Sequence, residues 1–323
     1  MQMFLQIIIL LVGFIVLIKG ADIFVDGASS TARNLKVSRL VIGLTIIAFG
    51  TSAPELAISI KALMSGSGDM VLGNVIGSNI INILLILGVS SLCCTLRVKS
   101  NTIRKELPIT IMMSLLLVTL FVDHLFDPSQ VNMISHSDGF VILLFFMVFI
   151  YYLFSIIRKK KEDDDPNTLE DDPKFTMYKS VIFVLLGLVA IILGSNFVVD
   201  SASEIAKMMG ISERIIALTI IAIGTSLPEL VTSIVAARKG EQDMLIGNII
   251  GSNIFNIGMV LGLPVALFGG VSGVGFSYVD LILFLTSALM LFVAASNDKV
   301  ISKKEGIIMI FTFIMYYAYV III

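Results

Sequence analysis

The segment from Leu44 to Gly88 is written twice in this chain. Sliding the sequence by 174 residues lays it over Leu218–Gly262, and 28 of the 45 positions are identical. Shared composition would leave only a few identities, so the fold has to accommodate a duplicated unit. That unit is apolar, like the rest of the chain. Of 323 residues 57% are hydrophobic and 14% charged, with a mean hydropathy of +1.01. A soluble domain is about half apolar and about one-quarter charged. So few charges cannot cover a water-facing surface, and the natural solvent is a bilayer.

A helix needs about 20 apolar residues to cross a bilayer. Ten stretches qualify, at about 2–30, 37–64, 70–96, 106–122, 139–157, 178–205, 211–237, 243–268, 276–295 and 304–323. The opening MQMFLQIIILLVGFIVLIKG has no basic leading segment and no small-residue cleavage site, and reads as a retained span rather than a signal peptide. RKKKEDDDPNTLEDDPK at 158–174 is the one stretch that is clearly not membrane. It divides the chain into a first five-helix repeat (1–157), a charged cytoplasmic linker (158–177) and a second five-helix repeat (178–323). An odd number of spans per half makes the second copy enter from the opposite side. The expected fold is an all-α polytopic membrane protein, ten transmembrane helices arranged as two inverted five-helix repeats about an axis in the membrane plane.

Charge bias supports that layout. With the N-terminus outside, the cytoplasmic loops hold 18 Lys and Arg, among them Arg33, Lys36, Arg39, Arg97 to Lys105, the linker cluster, Arg238 and Lys239. The outer loops hold three, Lys61, Lys207 and Arg214. The repeat shows the bias directly: Arg33, Lys36 and Arg39 become Lys207, Gly210 and Glu213 in the copy that faces out. The positive-inside rule then puts the chain in the cell (inner) membrane with both termini extracytoplasmic. A net charge of −2 gives no electrostatic case for nucleic acid, and nothing in the sequence marks an obligate protein partner. Cys93 and Cys94 are neighbours and read as small apolar residues at a span end.

Each copy of the repeat carries a proline next to a glutamate inside an apolar stretch: GTSAPEL at 50–56 and GTSLPEL at 224–230. Pro54 has no N–H, so the helical partner of the Gly50 carbonyl is lost, and the ring disturbs the carbonyls from Ala48 to Thr51. In lipid a freed carbonyl must find another partner, and a dehydrated cation is one. Glu55 then adds a negative charge near mid-bilayer, at a cost of roughly 3 kcal/mol. The chain carries that cost twice, since Glu229 repeats it, and such residues mark functional sites by default. The plain alternative is a protonated glutamate serving as interhelical glue.

The neighbours extend the pattern. Thr51, Glu55 and Ser59 are four apart and share a helix face. Asn74, Ser78 and Asn82 do the same in GNVIGSNIIN, and the second half repeats both stripes as Thr225, Glu229, Ser233 and Asn248, Ser252, Asn256. Hard cations such as Ca²⁺ and Na⁺ take carboxylate, hydroxyl, amide and carbonyl oxygens. The absence of thiols and imidazoles from the set argues against zinc or copper. Serine and asparagine alone would equally serve interhelical hydrogen bonding. Gly73, Gly77, Gly247 and Gly251 form GxxxG patterns that read as close helix packing.

GTSAPEL…GNVIGSNIIN and GTSLPEL…GNIIGSNIFN resemble the paired α-repeats of the calcium/cation antiporter superfamily, specifically the prokaryotic sodium/calcium exchangers. The resemblance covers the whole five-plus-five layout and is densest in 41–91 and 215–265. It implies discontinuous α-repeat helices around a cluster of cation sites, and two long helices, spans one and six, that slide to give alternating access. It implies that Glu55 and Glu229 bind both Ca²⁺ and Na⁺. Further ligands would come from Thr51, Ser52, Ser78 and Asn82, from Thr225, Ser226, Ser252 and Asn256, and from the carbonyls of Ala48 and Ala222. Some members carry an aspartate at the position of Asn256; here Asn82 and Asn256 are both amides, leaving two carboxylates. The implied activity is secondary active exchange of Na⁺ for Ca²⁺, with the bilayer and the transported ions as partners and no cofactor; counting two carboxylates and the oxygens that flank them adds the expectation of three Na⁺ per Ca²⁺ and electrogenic exchange.

Other readings remain. The same two glutamates would also serve H⁺-coupled exchange, because buried carboxylates titrate readily. Gly66-Ser67-Gly68-Asp69 spells the GxGD of intramembrane aspartyl proteases, but its copy reads GEQD and no second aspartate sits in a Tyr-Asp span motif. His124, His136, Asp123, Asp127 and Asp138 share one outer loop, which reads as solvated rather than metal-binding, and Asp22, Asp26 and Asp200 lie near the ends of spans one and six.

Overall fold

The computed structural model describes residues 2–127, 129, 131–162, 172–211, 216–272 and 277–322. Residues 163–171 of the linker, the start of the span expected at 211–237, and the charges at Glu213 and Arg214 lie outside that set.

The main helices run α1 (Gln2–Asn34), α2 (Arg39–Thr51), α3 (Ala53–Met64), α4 (Gly68–Cys93), α5 (Glu106–Phe121), α6 (His136–Glu162), α7 (Met177–Met208), α8 (Thr219–Thr225), α9 (Leu227–Arg238), α10 (Gln242–Phe268), α11 (Tyr278–Ser296) and α12 (Lys303–Ile322). Among the described residues seven of these are long and apolar enough to cross a membrane alone. The bent pairs α2–α3 and α8–α9 raise the number to nine. Ten spans were expected. The difference lies at 106–122, where α5 has 16 residues, about 24 Å of helix.

Two features depart from simple helical spans. First, α4 stops at Cys93, because Leu96–Arg97 leave the helix as strand β1. The other short strands are β2 (Met133–Ile134), β3 (Val271–Ser272) and β4 (Val300–Ile301). β1 pairs antiparallel with β4, and β3 with β2. Each ribbon joins one half of the chain to the other, and the two joins are reciprocal. Second, four stretches inside the duplicated segment are π-helical: Gly43–Ile47, Ile81–Leu87, Ala217–Ile221 and Asn256–Leu261. They fall at matching places in the two copies, and π turns often mark functional sites.

The long helices α1 and α7 pack against each other along most of their length. A Cβ added at Gly187 would sit 2.6 Å from the Phe24 nitrogen, and one at Gly194 would sit 2.5 Å from the Leu17 nitrogen. Only glycine allows backbones this close. Outside that seam both helices are exposed and apolar, as with Phe4, Leu11, Ile15, Leu185 and Val189. Lipid-facing residues of this kind are expected of membrane helices. α4 and α10 are the most buried spans, and they carry the polar stripes.

The tight turns that join α3 to α4 and α9 to α10 each place a glycine at positive φ, 75° at Gly66 and 74° at Gly240. The GxGD reading therefore falls on a connecting turn. In the 123–138 loop, Asp138 accepts from the Ser135 N–H at 2.8 Å and caps α6, while His136 Nδ1 lies 3.3 Å from the Ala266 carbonyl. Among the described residues no group of three or more His, Cys, Asp or Glu is arranged to hold a metal. Cys93 and Cys94 are free thiols at the end of α4.

Candidate cation site

The two Pro-Glu motifs break their spans at Ser52 and Ser226, with bends of 44° and 55°. Pro54 and Pro228 occupy the first turn of α3 and α9. There the missing N–H would have had no helical partner anyway, so the proline starts a new helix instead of straining an old one. The freed-carbonyl expectation holds unevenly. In the first copy the Ser52 N–H still reaches the Ala48 carbonyl at 3.0 Å; in the second the Ser226 N–H donates to Ile223 at 3.1 Å instead. Ala222 accepts from the Thr225 hydroxyl at 3.1 Å, and Ala48 more distantly from Thr51 at 3.4 Å.

The breaks put Glu55 and Glu229 in the first turns of their helices, where the N-terminal end of a helix favours an anion. Both are 1% exposed. Ser52 Oγ donates to Glu229 Oε1 across the two copies at 3.2 Å. Thr51 Oγ1 donates to the helical carbonyl of Ile47 at 3.0 Å and lies 3.2 Å from Asn248 Oδ1, and the Asn248 amide donates to Ser233 at 3.1 Å. Asn74 reaches the Glu55 carbonyl and the Ser59 hydroxyl, each at 3.0 Å. The fourfold stripes thus face each other in pairs. Ser59 pairs with Asn74 and Ser233 with Asn248, and each asparagine also holds a group of the opposing stripe.

Another subset does not. Both carboxylate oxygens of Glu55, Oε2 of Glu229, the hydroxyls of Ser226 and Ser252, and Oδ1 of Asn82 and Asn256 are buried without a hydrogen-bond partner among the described residues. Buried polar atoms are nearly always satisfied. Seven oxygens left open among the predicted ligands form an acceptor-rich cluster with two formal negative charges. Such a cluster is costly alone and favourable around a cation. Ser78 lines a cavity together with Ala222 and Thr225, so these three meet the cluster from its open side.

Sequence reasoning missed Asn79 and Asn253. Asn82 donates to Asn253 Oδ1 and Asn256 donates to Asn79 Oδ1, both at 3.1 Å, and Asn79 also reaches the Asn253 carbonyl at 3.4 Å. The two outer asparagines hold the amide groups of Asn82 and Asn256, and their oxygens stay unpartnered. The signal was present as the identical GSN in both copies. It was hidden because Asn79 is one residue off the fourfold stripe, and because the π turns that begin at Ile81 and Asn256 rotate the face.

The two sides of the cluster differ. A cavity of about 620 Å³ opens beside the Gly66 turn and runs past Lys61, Met70, Gly77 and Ser78 to Ala222 and Thr225. Deeper than the Gly240 turn, the equivalent space is packed at Gly247 and Gly251. There a Cβ added at Gly247 would meet the Leu40 carbonyl at 2.6 Å, and one at Gly251 would meet Ala48 Cβ at 2.7 Å. A Cβ added at Gly77, the equivalent of Gly251, would meet nothing within 4 Å. The packing reading of the glycines therefore holds for Gly247 and Gly251. Gly77 faces open space.

The chain also matches known proteins over nearly its full length. The family described as sodium/calcium exchanger protein matches residues 5–155 and 179–322. A putative antiporter, CaxA of Alkalimonas amylolytica, is 39% identical over 97% of this chain and 98% of its own. The sodium/calcium exchanger MaX1 of Methanosarcina acetivorans is 32% identical over 96% of each. The solved structure of the sodium-calcium exchanger NCX_Mj superposes with a TM-score of 0.82 at 31% identity, covering 98% of this chain and 99% of that one. These relatives are transporters, not enzymes, which sets the protease reading aside. A duplicated Pro-Glu break, a buried oxygen cluster and matches across nearly the full length lead to one assignment: the chain belongs to the sodium/calcium exchanger family, within the calcium/cation antiporter superfamily.

Proposed function

We propose that this protein exchanges Na⁺ for Ca²⁺ by alternating access, with Glu55 and Glu229 as the central ligands of both ions. The observation that carries the reading is the pair of buried carboxylates at twin helix breaks, surrounded by unpartnered oxygens. The Ser52, Ser78, Asn82, Ser226, Ser252 and Asn256 side chains, the Thr51 and Thr225 hydroxyls and the Ala48 and Ala222 carbonyls complete the ligand set. The Ser52 hydroxyl would turn from Glu229 to an ion, and the Thr51 hydroxyl would do the same from its helical carbonyl.

The ten-span inverted layout goes with this reading: residues 1–157 as one repeat, 178–323 as the other, and 158–177 as a cytoplasmic linker. Reciprocal contacts support a two-fold relation. They recur in the ribbons β1–β4 and β2–β3 and in the asparagine pairs Asn82–Asn253 and Asn256–Asn79. Threading ten spans from an outside N-terminus also puts both strands of each ribbon on the same side. The charge bias then orients the chain in the cell membrane with both ends outside. In that frame the large cavity opens outward, and the filled side faces the cytoplasm.

With amides at 82 and 256 the site carries −2 when both glutamates are ionised. One Ca²⁺ neutralises it, and three Na⁺ bring it to +1. Exchange of three for one moves one net charge per cycle, on which the membrane potential acts with roughly 2.3 kcal/mol per 100 mV. Ca²⁺ flux in liposomes clamped with valinomycin and K⁺ should therefore accelerate in the direction the potential favours. Flux that ignores potential would point to two Na⁺ or two H⁺ per Ca²⁺. A Na⁺ gradient alone should drive Ca²⁺; a pH gradient alone driving it equally well would favour proton coupling.

Gly77 supplies a further test. A leucine there has room in the outward-open form, but it would occupy space that its counterpart Gly251 leaves to Ala48 and Leu44 on the closed side. Gly77→Leu should fold and bind Ca²⁺ yet turn over at least about 10-fold more slowly, because overpacking a closed interface costs about 1–3 kcal/mol. Equal exchange rates in Gly77→Leu and the parent protein would contradict the symmetric closing motion.

A further inference from the structure

We propose that ion pairs from α1 and from Arg39 at the start of α2 to the turn around Gly240 form a latch that keeps the cytoplasmic side of the site shut, making Lys239 and Glu241 the residues that set which way the empty carrier faces. The inference rests on the exchange reading and its orientation.

The latch has two arms. Lys239 Nζ lies 2.8 Å from Asp26 Oδ1, 3.6 Å from Asp22 Oδ1 and 2.7 Å from the Asp22 carbonyl. Glu241 Oε2 lies 3.0 Å from Arg39 Nη1, and its Oε1 accepts from Ser29 Oγ at 2.8 Å. The same turn is held from its far side. Asp243 pairs with Lys99 at 2.6 Å, and Gln242 Oε1 accepts from the Arg97 N–H at 3.2 Å. The Gly240 turn is thus bound both to the long helix α1 and to the segment after α4.

The equivalent turn on the other side is built without these groups. Ser65, Ser67 and Gly68 stand where Lys239, Glu241 and Gln242 stand. Asp69, the equivalent of Asp243, makes no ion pair among the described residues, and neither does Lys61. This turn borders the open cavity. Two copies with 28 of 45 positions identical therefore differ in charge just where one side is closed and the other open. That difference biases an otherwise symmetric pair of end states.

The latch is also built to release. Asp26 is shared: Lys174 holds its other oxygen at 2.9 Å. Lys174 precedes Phe175, whose backbone exchanges hydrogen bonds with Ser30 of α1 at 2.9 and 3.0 Å. Lys174 therefore stays with α1 when the Gly240 turn moves away, and Asp26 keeps one partner throughout. A cavity of about 340 Å³ lined by Asp26, Ser29, Arg33, Lys174, Lys239 and Glu241 lets water reach the separated charges. The Lys239 and Asp26 side chains are 26% and 29% exposed, in the range where ion pairs are weak enough to break in each cycle.

The test reads orientation, not flux. Ala236 is 1% exposed and is the counterpart of Ala62, which lines the open cavity. In the full chain with Cys93→Ser and Cys94→Ser, Ala236→Cys is labelled by a membrane-impermeant thiol reagent in inside-out vesicles. Slow labelling is expected with the latch intact. Lys239→Met and Glu241→Gln should each speed it at least about fivefold. The charge swap Arg39→Glu with Glu241→Arg should slow it again. Unchanged labelling in the Lys239→Met, Glu241→Gln double variant would overturn the proposal, as would a swap that labels as fast as Glu241→Gln alone. Ca²⁺ flux driven by Na⁺ in the same vesicles reports separately on the exchange reading, so the two can fail independently.

Discussion

Replacing either Glu55 or Glu229 with glutamine is expected to leave a folded, inserted protein that has lost Ca²⁺ transport by at least about 100-fold. Removing one member of a buried charged set costs about 3–5 kcal/mol, or roughly 10²–10⁴ in affinity. Glutamine keeps the volume and one acceptor oxygen, so packing around the 1%-exposed side chains stays intact. The single remaining charge cannot balance a divalent ion in a low-dielectric site. Stability should move the other way. In ion-free buffer each variant should melt no lower than the parent, because a neutral amide of the same shape replaces a buried carboxylate. Ca²⁺ should raise the melting temperature of the parent and not that of either variant, since a ligand stabilises only a state that it binds. ⁴⁵Ca²⁺ uptake and thermal melts with and without Ca²⁺ measure both halves. Near-normal uptake by either variant would remove the glutamates from the site.

The second large effect concerns motion. Alternating access in inverted-repeat carriers moves one group of helices about a fixed site. The glycine seam at Gly187 and Gly194 makes α1 and α7 one rigid pair. A disulfide within that pair should leave exchange intact. A disulfide between α1 and α9 should abolish it, because α1 lies along α9 on the closed side, while the mirror pairing of α7 with α3 is far smaller. Equilibrium Ca²⁺ binding should survive both cross-links, since neither touches the ligands. Normal exchange with α1 locked to α9 would put the moving parts elsewhere.

Much of this molecule is legible in its sequence, for a local reason. Hydropathy over about 20 residues marks a span whatever surrounds it, and a proline before a glutamate breaks a helix by its own chemistry. Duplication then doubles every local signal. Glu55 pairs with Glu229 and Asn82 with Asn256, and the same oxygens stand at the same offset in both copies. The membrane solvent, the repeat, the helix breaks and the buried carboxylates all follow from the chain read locally.

What followed only from the tertiary structure depends on partners distant in the chain. Hydropathy shows that α1 and α7 are long; backbone contact at Gly187 and Gly194 shows that they are a pair. A helical wheel assumes 3.6 residues per turn, so it could not rotate Asn79 and Asn253 onto the asparagines they hold once π turns intervene. Two-residue strands such as Leu96–Arg97 carry too little pattern to announce themselves. Last, a motif shared by both copies cannot say which side is open. Gly77 and Gly251 are the same residue in the same motif, yet one faces a cavity and the other a packed backbone. That asymmetry belongs to the conformation, and the free energy that selects it comes from long-range contacts such as Lys239 with Asp26 and Glu241 with Arg39.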